Sequence, residues 1–446
     1  MPNQRSAETR EIRRVALAGV VGNALEWYDF FLYGTAAALI FNKLFFSTLS
    51  PLSGTLAAFA TYAVGFGARP LGGMLFGHIG DRVGRKYTLI VTLVVMGVST
   101  ALIGCLPTYG SIGAAAPILL VVLRLVQGVA VGGEWGGAAS LVAEHAPPTK
   151  RGFWTGLSQS GVSSGFVLST LAMALVTLMP EQAYISWGWR LPFLFSAVLV
   201  VVGLLIRVGV AESPAFLELS GSAPKARLPL VEAVRKHPRE LLVAIGARLA
   251  ETGGAYLIEV FILSYATQVL HLSRSMMLWG LCVAVSIELV TTVAFGALSD
   301  RIGRRPVYLA GAALMAAFAF PLFWLVDSGT PALVWFALIF GMAVCHAAMS
   351  GAQACFFAEL FDSRVRYSGA SLGHEIGGLL AGGFAPLVAT ALLAATQSAW
   401  PVALLLAGLS LLTLVSVAVG PETKDRSLMP GITSDETTAL APDPGR

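Results

Sequence analysis

The sequence is poor in charge. Asp, Glu, Lys and Arg make up only 12% of its 446 residues, whereas apolar residues make up 56%. Soluble domains carry roughly 25% charged residues, so the composition argues against a soluble globular protein. The formal net charge is a modest +4, and nothing in it calls for a nucleic acid partner. These shortages predict a protein whose main partner is the lipid bilayer.

Cysteine is also scarce, and no set of residues forms a reaction centre. The four cysteines, Cys105, Cys282, Cys345 and Cys355, lie within or at the ends of apolar runs, where cysteine behaves as a small buried residue. Their spacing matches neither a disulfide framework nor a metal site. Without a nucleophile–base pair or a ligand cluster, we expect no enzyme activity, no metal and no cofactor. The first apolar segment is too long for a cleavable signal peptide.

Long apolar runs are what the sequence has in abundance. About 20 helical residues cross the hydrocarbon core, and the runs predict twelve spans. These are expected near 15–42, 54–79, 87–107, 116–144, 152–178, 189–209, 241–269, 276–298, 306–326, 332–359, 367–395 and 398–420. The organisation would be a six-helix bundle over 1–209, a linker over 210–240, a second bundle over 241–420, and a disordered tail over 421–446.

One ten-residue pattern occurs twice, each time at the end of an apolar run. Gly77-x-x-x-Asp81-Arg82-x-Gly84-Arg85-Lys86 returns 219 positions later as Gly296-x-x-x-Asp300-Arg301-x-Gly303-Arg304-Arg305. Two copies in register indicate a duplicated membrane unit. The pattern resembles the loop signature of the major facilitator superfamily. That resemblance implies an all-α membrane protein with twelve transmembrane helices in two pseudo-symmetric six-helix bundles, which moves solutes by alternating access.

Basic residues predict the orientation. The expected outer loops carry only Lys43, Arg190 and Arg274, and the other 23 Lys and Arg outside the spans all lie in the opposite loops and at the termini. Because cytoplasmic loops are rich in Lys and Arg, both termini are predicted to be cytoplasmic. We expect a multi-pass protein of the bacterial inner membrane that functions as a monomer.

A second repeat lies near the predicted cytoplasmic ends of two helices. Glu144 precedes Arg151 by seven residues, and Glu359 precedes Arg366 by the same distance. These residues and the loop signatures are predicted to form a gate that closes the cytoplasmic side, although surface ion pairs worth about 0–1 kcal/mol are the alternative. The predicted gate consists of Asp81, Arg82, Arg85, Glu144, Arg151, Asp300, Arg301, Arg304, Glu359 and Arg366.

Charged residues inside spans are candidates for function, since each costs about 2.5–3.5 kcal/mol at a helix centre. Glu26 and Asp29 share a face of the first helix, and Arg124 lies on the fourth. A rise of 1.5 Å per residue brings Asp29 and Arg124 to similar depths, so the two can pair. Asp29, Arg124 and Glu26 are predicted to couple protons to transport, because Asp can be neutralised while Arg stays charged. A permanent structural salt bridge is the alternative.

Longer stretches carry a narrower resemblance to the metabolite–proton symporters of the same superfamily. They are Gly22 to Phe30, Arg69 to Gly73, Gln127 to Ala138, Gly188 to Phe193, and Val365 to Gly369. Members of that family move organic acids or zwitterions such as proline and betaine together with protons. The resemblance implies coupling through Asp29 and Arg124.

Symmetry between the halves supplies further binding candidates. Adding 219 to Asp29 gives Arg248, a second candidate carboxylate anchor, since guanidinium can donate two parallel hydrogen bonds. The alternative is that Glu251, on the same face, only neutralises Arg248. The predicted substrate-binding residues are Arg124, Arg248, Gln159, Tyr33, Tyr256 and His374. His346 and His374 are either packing residues or groups that respond to protons or to the substrate.

These patterns predict a proton-coupled symporter that imports a small organic acid, with shikimate-like monocarboxylates favoured. Symport of a zwitterionic osmolyte is the alternative, and a membrane solute sensor that does not transport is a remoter one.

Overall fold

The computed structural model describes residues 2–83, 85–132, 135–208, 234–361, 365–426 and 428. Within these ranges the chain is helical, without a β-strand. This confirms the all-α class predicted from the apolar runs.

The described helices follow the chain in two sets of six, with bounds close to those predicted. In the first half they are α1 (2–45), α2 (Pro51–Val83), α3 (Arg85–Cys105), α4 (115–145, interrupted after Val131), α5 (Arg151–Val176) and α6 (Arg190–Val208). In the second half they are α7 (Pro238–Gln268), α8 (Arg274–Ile302), α9 (Arg304–Asp327), α10 (Pro331–Leu360), α11 (366–396) and α12 (Trp400–Val419).

Hydropathy alone identifies fewer spans than the helix order does. Seven described helices are long and apolar enough to cross a membrane, or eight if the bent pair Glu181–Gly188 and Arg190–Leu205 is one span. The helix α1 begins at residue 2 instead of near 15, because the polar N-terminal residues contain nothing that stops a helix, and hydropathy marks only the apolar part.

The two halves use the same helix pairings. In the first half α1 packs on α5, α2 on α4, and α3 on α6; in the second half α7 packs on α11, α8 on α10, and α9 on α12. Between the halves, α5 lies along α8, and α2 contacts α11. These repeated pairings place the interface between the halves where α5, α8, α2 and α11 meet.

Several spans contain π-helical turns at buried positions. Ala37–Phe41 in α1 and Leu257–Phe261 in α7 occupy equivalent places in the two halves, and α10 has another at Phe340–His346. Such turns shift side chains relative to a regular helix and are frequent at functional sites. The turn in α7 contains Glu259, and the turn in α10 ends at His346.

Glycine allows a close approach of the two halves at α5 and α8. A Cβ built on Gly296 of α8 would lie 2.4 Å from the carbonyl oxygen of Gly152 in α5, and one built on Gly152 would lie 2.3 Å from the Gly296 oxygen. Real side chains do not occupy such space. The first glycine of the second loop motif is therefore where the backbones of the two halves meet.

The first residues of the tail, which the composition predicts to be disordered, are described and contact the helix ends. Residues 421–426 and Leu428 are described and bind the helix ends: the Glu422 carboxylate accepts hydrogen bonds from the backbone N–H groups of Arg304 and Arg305, at 2.9 and 3.0 Å. Leu428 is buried against Ala143 and Ala358. A polar, proline-bearing composition indicated disorder, but capping of a helix N-terminus by an acid holds this segment. Most of the predicted linker and the rest of the tail lie outside the described residues.

Candidate functional site

The two Glu–Arg repeats exchange partners across the halves. Arg366 of α11 donates to Glu144 of α4 at 2.9 Å, and Arg151 of α5 lies 3.7 Å from Glu359 of α10. Each acid thus contacts the base of the other copy. We call the membrane side that carries these residues and the duplicated loops the motif side; the sequence predicts that it is cytoplasmic.

A buried network supports the motif side. Arg304 is fully buried and donates to Asp300 at 2.7 Å and to Glu359 at 3.1 Å. The Asp300 carboxylate also accepts hydrogen bonds from the backbone N–H groups of Gly152 and Phe153, at 2.8 and 2.9 Å. An acid from the second half therefore caps the N-terminus of α5 in the first half, which suits the positive end of the helix dipole.

The remaining predicted gate residues differ in what the structure describes. Arg301 is exposed, and its carbonyl oxygen accepts a hydrogen bond from Lys424 at 2.8 Å. The side chains of Asp81, Arg82 and Arg85 lie outside the described part of the structure, so the first loop motif remains a prediction.

The opposite side is closed by neutral side chains and one exposed ion pair. Gln268 at the end of α7 donates to the carbonyl oxygen of Ala38 at 2.6 Å and accepts from Thr55 at 2.8 Å and Asn42 at 3.3 Å. Arg274 and Glu181 form an exposed pair across the halves at 3.4 Å. Contacts between the halves therefore exist on both membrane sides, as in an occluded conformation.

A small cavity lies between the two closed sides. Its volume is about 30 Å³, room for one or two water molecules, so a solute enters only if the halves separate. The first half lines it with aromatic and neutral polar side chains, including Trp27, Phe31, Trp135, Gln159 and Phe166. The second half adds the charged residues Arg248, Glu251, Glu259, Glu288 and His346.

Arg248 is the cation that faces this cavity. Its Nη1 donates to Glu251 at 2.7 Å and to Gln353 at 2.6 Å. Its Nε is buried and has no hydrogen-bond partner among the described residues. Arg248 is thus paired with Glu251, as one reading of the sequence expected, and it still keeps a donor that an anion can use.

Three carboxylates and a histidine line the same cavity as Arg248. His346 Nδ1 lies 2.6 Å from Glu288 Oε1, and its Nε2 lies 3.4 Å from Glu251 Oε1. Glu259 Oε2 is buried with no hydrogen-bond partner in the described structure. We call Glu251, Glu259, Glu288 and His346 the glutamate–histidine cluster. Of its members, only His346 was considered as a proton-responsive group in the sequence.

The expected ion pair between Asp29 and Arg124 is not formed directly. Asp29 accepts a hydrogen bond from Ser196 of α6 and contacts the Thr100 hydroxyl of α3. Arg124 donates to Gln127 at 2.5 Å, and Gln127 donates to Thr100 at 2.7 Å. The prediction rested on depth along the membrane, which leaves the rotation of each helix about its axis undetermined. Gln127 and Thr100 therefore connect the acid and the base.

Aromatic rings enclose Arg124 on its other side. Its guanidinium carbon lies 4.1 Å from the ring centre of Phe30, 4.3 Å from that of Tyr33 and 4.8 Å from that of Tyr62, distances typical of cation–π contacts. The Tyr33 hydroxyl shares a hydrogen bond with Thr61 at 2.6 Å. Neither Arg124 nor Tyr33 is part of the cavity lining. Glu26 is buried on the same helix as Asp29.

The other predicted binding residues lie in or beside the cavity. Gln159 and Tyr256 line it, and Gln159 accepts a hydrogen bond from Trp135 at 3.1 Å. His374 lies behind this layer, stacked on Trp135 with ring centres 3.9 Å apart and bonded to Glu375 at 3.1 Å. Of the six predicted binding residues, Arg248, Gln159 and Tyr256 line the cavity, and their role in binding stays a prediction.

A buried pair between the halves was missed by the sequence analysis. Arg69 of α2 lies 3.6 Å from Glu375 of α11, and its guanidinium lies 4.3 Å from the Phe30 ring centre. One signal in the sequence was available: two lone opposite charges inside spans, each needing a partner.

Comparison with known proteins gives a consistent assignment. The family model described as Major Facilitator Superfamily matches residues 19–370 and 250–431. The shikimate transporter of Escherichia coli is 43% identical over 403 residues, covering 90% of this chain and 92% of that protein. The proline/betaine transporter of Salmonella typhimurium is 34% identical over 431 residues, covering 94% of this chain and 85% of that protein.

Solved structures agree with this at the level of the fold. The xylose transporter XylE from Escherichia coli, in a partially occluded inward-open conformation, has a TM-score of 0.75 and 20% identity, with 94% of this chain and 99% of that chain covered. XylE bound to 6-bromo-6-deoxy-D-glucose has a TM-score of 0.73, also at 20% identity, over 94% of this chain and 98% of that one. The chain therefore belongs to the Major Facilitator Superfamily and is a multi-pass membrane transporter, not an enzyme.

Proposed function

We propose that this protein is a proton-coupled symporter of the bacterial inner membrane that imports a small organic acid, with a shikimate-like monocarboxylate favoured. The observation that carries the substrate class is Arg248, a buried guanidinium in the central cavity with an unpartnered Nε. A carboxylate fits this donor, because hydrogen bonds between guanidinium and carboxylate are charge-assisted. The 43% identity to a shikimate transporter supports the same choice.

The remaining lining suits a polar molecule that has a ring. Trp27, Phe31 and Tyr256 supply flat apolar surfaces, whereas Gln159 and Ser163 supply groups that hydrogen-bond hydroxyls. Pockets that combine apolar walls with a few placed polar groups are typical of small-molecule sites. In this proposal the solute carboxylate binds Arg248, and the ring lies against the aromatic side chains of the first half.

Proton coupling is assigned to Asp29, supported by its burial and by its link to Arg124 through Thr100 and Gln127. If α1 moves relative to α3 and α6 during the access change, the bond from Ser196 to Asp29 breaks and the carboxylate gains a proton more readily. Linkage then joins proton binding to the conformation of the solute site. Glu26, buried on the same helix, is proposed as a supporting group.

The test is uptake of labelled shikimate into proteoliposomes with an inward proton gradient, comparing the wild type with Asp29→Asn. We expect the wild type to accumulate shikimate and to lose accumulation when an uncoupler removes the gradient. Asp29→Asn should lose gradient-driven uptake and keep exchange of shikimate across the membrane. The exposed Asp425 gives a matched control, and Asp425→Asn should transport like the wild type. Equal gradient dependence in Asp29→Asn and the wild type would remove Asp29 from the mechanism.

A zwitterionic osmolyte is a second candidate, because Glu259 has a free buried oxygen in the same cavity. A carboxylate there suits an ammonium group, and proline/betaine transporters are among the relatives. Competition separates the two: unlabelled betaine should leave shikimate uptake unchanged, whereas other small monocarboxylates should inhibit it. Uptake of betaine without uptake of shikimate would replace the first proposal by the second.

A further inference from the structure

The glutamate–histidine cluster has more negative than positive groups. Glu251, Glu259 and Glu288 are all buried, and Arg248 is the one permanently charged cation among the described residues that line the cavity. The first half adds no charged side chain to that described lining. Uncompensated carboxylates in a low-dielectric site are costly and are normally neutralised. The cluster therefore needs protons if it is to stay buried in the closed conformation.

Hydrogen-bond geometry around His346 places one of these protons. A neutral imidazole has one N–H donor and one bare nitrogen acceptor. Here Nδ1 lies 2.6 Å from Glu288 and Nε2 lies 3.4 Å from Glu251, so each nitrogen faces a carboxylate oxygen. One of these contacts would join two acceptors if both carboxylates were ionised and the imidazole were neutral. An additional proton, on the imidazole or on a carboxyl, turns both contacts into attractive ones.

The two carboxylates beside His346 differ in how many hydrogen-bond partners they have. Glu251 also accepts hydrogen bonds from Arg248 and Thr252, both at 2.7 Å, so it is already well satisfied as an ionised carboxylate. Glu288 has only His346 as a side-chain partner in the described contacts. The short 2.6 Å contact between His346 and Glu288 is thus where the additional proton belongs.

We infer that His346 and Glu288 share a proton and form a second proton-binding site, in the second half of the molecule and separate from Asp29. The proton lies between His346 Nδ1 and Glu288 Oε1, at the meeting point of α10 and α8. When the cavity opens to water, the proton leaves to solvent, and Glu288 and a neutral His346 are then separately hydrated. Glu259, whose free oxygen faces the same space, adds the negative potential that favours rebinding.

The experiment measures protonation directly, without any solute, and so does not depend on the proposed substrate or on Asp29. Purified protein labelled with ¹⁵N-histidine is examined by NMR, and the carboxyl C=O infrared bands are recorded, while the pH is raised from mildly acidic to mildly alkaline. The variants are His346→Gln and Glu288→Gln. The control is His271→Asn, which removes an exposed histidine from a left-handed backbone position that asparagine tolerates.

An ordinary histidine is half-protonated near pH 6.5. In the wild type we expect that, at pH values above this, either His346 is still doubly protonated or a neutral carboxyl band is still present. The signal should be lost in Glu288→Gln, which should bind one proton fewer per chain, and it should persist in His271→Asn. In His346→Gln the histidine signal should disappear and the proton should instead appear as a neutral carboxyl band, because Glu288 is then buried without a partner. Glu288→Gln keeps an amide oxygen that can accept from His346, so it tests charge while retaining the hydrogen bond. A singly protonated His346 with both neighbouring carboxyls ionised at neutral pH would overturn the inference.

Discussion

Asp29 and Arg248 occupy equivalent positions in the two halves but have opposite surroundings. Asp29 is turned toward Ser196 and Thr100, away from the cavity, whereas Arg248 lines the cavity. On the motif side, the described buried charges are Arg304, Glu359 and Arg366 of the second half and Arg151 of the first, and the backbone N–H groups of Gly152 and Phe153 bind the Asp300 carboxylate. A duplicated backbone has thus acquired different chemistry in each copy, and among the described residues that line the cavity all the charged side chains come from the second half.

The largest expected effect is a loss of substrate binding, which should differ between variants of the two buried arginines, Arg248 and Arg124. Arg248→Gln leaves Glu251 buried without its strongest partner and removes the donor that faces the cavity, whereas Arg124→Gln removes a cation outside the cavity lining. Truncating one partner of a buried charge pair costs about 2–5 kcal/mol. We expect shikimate binding, measured by calorimetry, to fall at least about 30-fold in Arg248→Gln and much less in Arg124→Gln.

Arg248→Lys tests whether binding needs the guanidinium or only a positive charge, since lysine keeps the charge and lacks the planar group with its paired donors. It should bind better than Arg248→Gln and worse than the wild type. Equal losses of binding in Arg124→Gln and Arg248→Gln would contradict the division of roles between the halves.

The next effect compares the two acids of the exchanged pairs. Glu359 is buried and contacts Arg304, Arg151 and Thr423, whereas Glu144 has a side chain 45% exposed. Removing one partner of a buried pair costs about 3–5 kcal/mol of folding stability. Because Asp300 remains to compensate Arg304, the loss of stability in Glu359→Gln should be near the lower limit of this range. Stability is measured by heating the protein in detergent and recording the temperature at which the buried Cys355 thiol reacts with a label. This thiol donates to Glu359 at 3.2 Å. Glu144→Gln is the matched control and should unfold nearly as the wild type does.

A smaller effect is expected where the backbones of both halves meet. Gly296→Ala places a methyl group 2.4 Å from the Gly152 oxygen, and overpacking of this kind costs about 1–3 kcal/mol. Because access states differ by only a few kcal/mol, the variant should populate conformations open on the motif side. Reaction of a cysteine introduced at Ser163, in the cavity lining, with membrane-impermeant thiol reagents applied to each side would measure this. Gly408→Ala, with nothing within 4 Å, should have no effect.

The smallest effect belongs to the pair formed by Glu144 and Arg366, 2.9 Å apart across the halves. Because Glu144 is partly exposed, solvent screens the pair, and a double-mutant cycle should give a coupling of about 0.2–1 kcal/mol. The cycle uses Glu144→Gln and Arg366→Gln, singly and together, with the same thermal readout. A coupling as large as that of a buried pair would mean that the first half contributes more charge to closure than its exposure indicates.

The sequence predicted the fold well because hydropathy and the duplication report on the same helices. The twelve spans were placed within a few residues, except where polar residues extend α1. The repeated Glu–Arg spacing identified four residues that the structure joins in pairs. It did not indicate that each acid takes the base of the other copy, because partner choice between equivalent copies depends on how the halves dock.

The candidate site was less predictable, because it depends on how each helix is rotated about its axis and on which helices of the two halves touch. Depth along the membrane brought Asp29 and Arg124 together, but whether they touch depends on the rotation of α1 and α4 about their axes. Arg69 and Glu375 meet only because α2 contacts α11, a contact between halves that spacing along the chain does not encode. His346 contacts Glu288 and Glu251 because three separate helices converge at the cavity.

The docked beginning of the tail makes the C-terminus a natural place to observe transport. Leu428 is held between Ala143 of the first half and Ala358 of the second, and the Leu428 oxygen accepts from Arg366 at 3.2 Å. Separation of the halves on the motif side must pull these anchors apart. A fluorophore attached just after this segment would therefore change environment in each cycle and report opening in real time. A bulky protein fused at the same place would slow transport by hindering this movement.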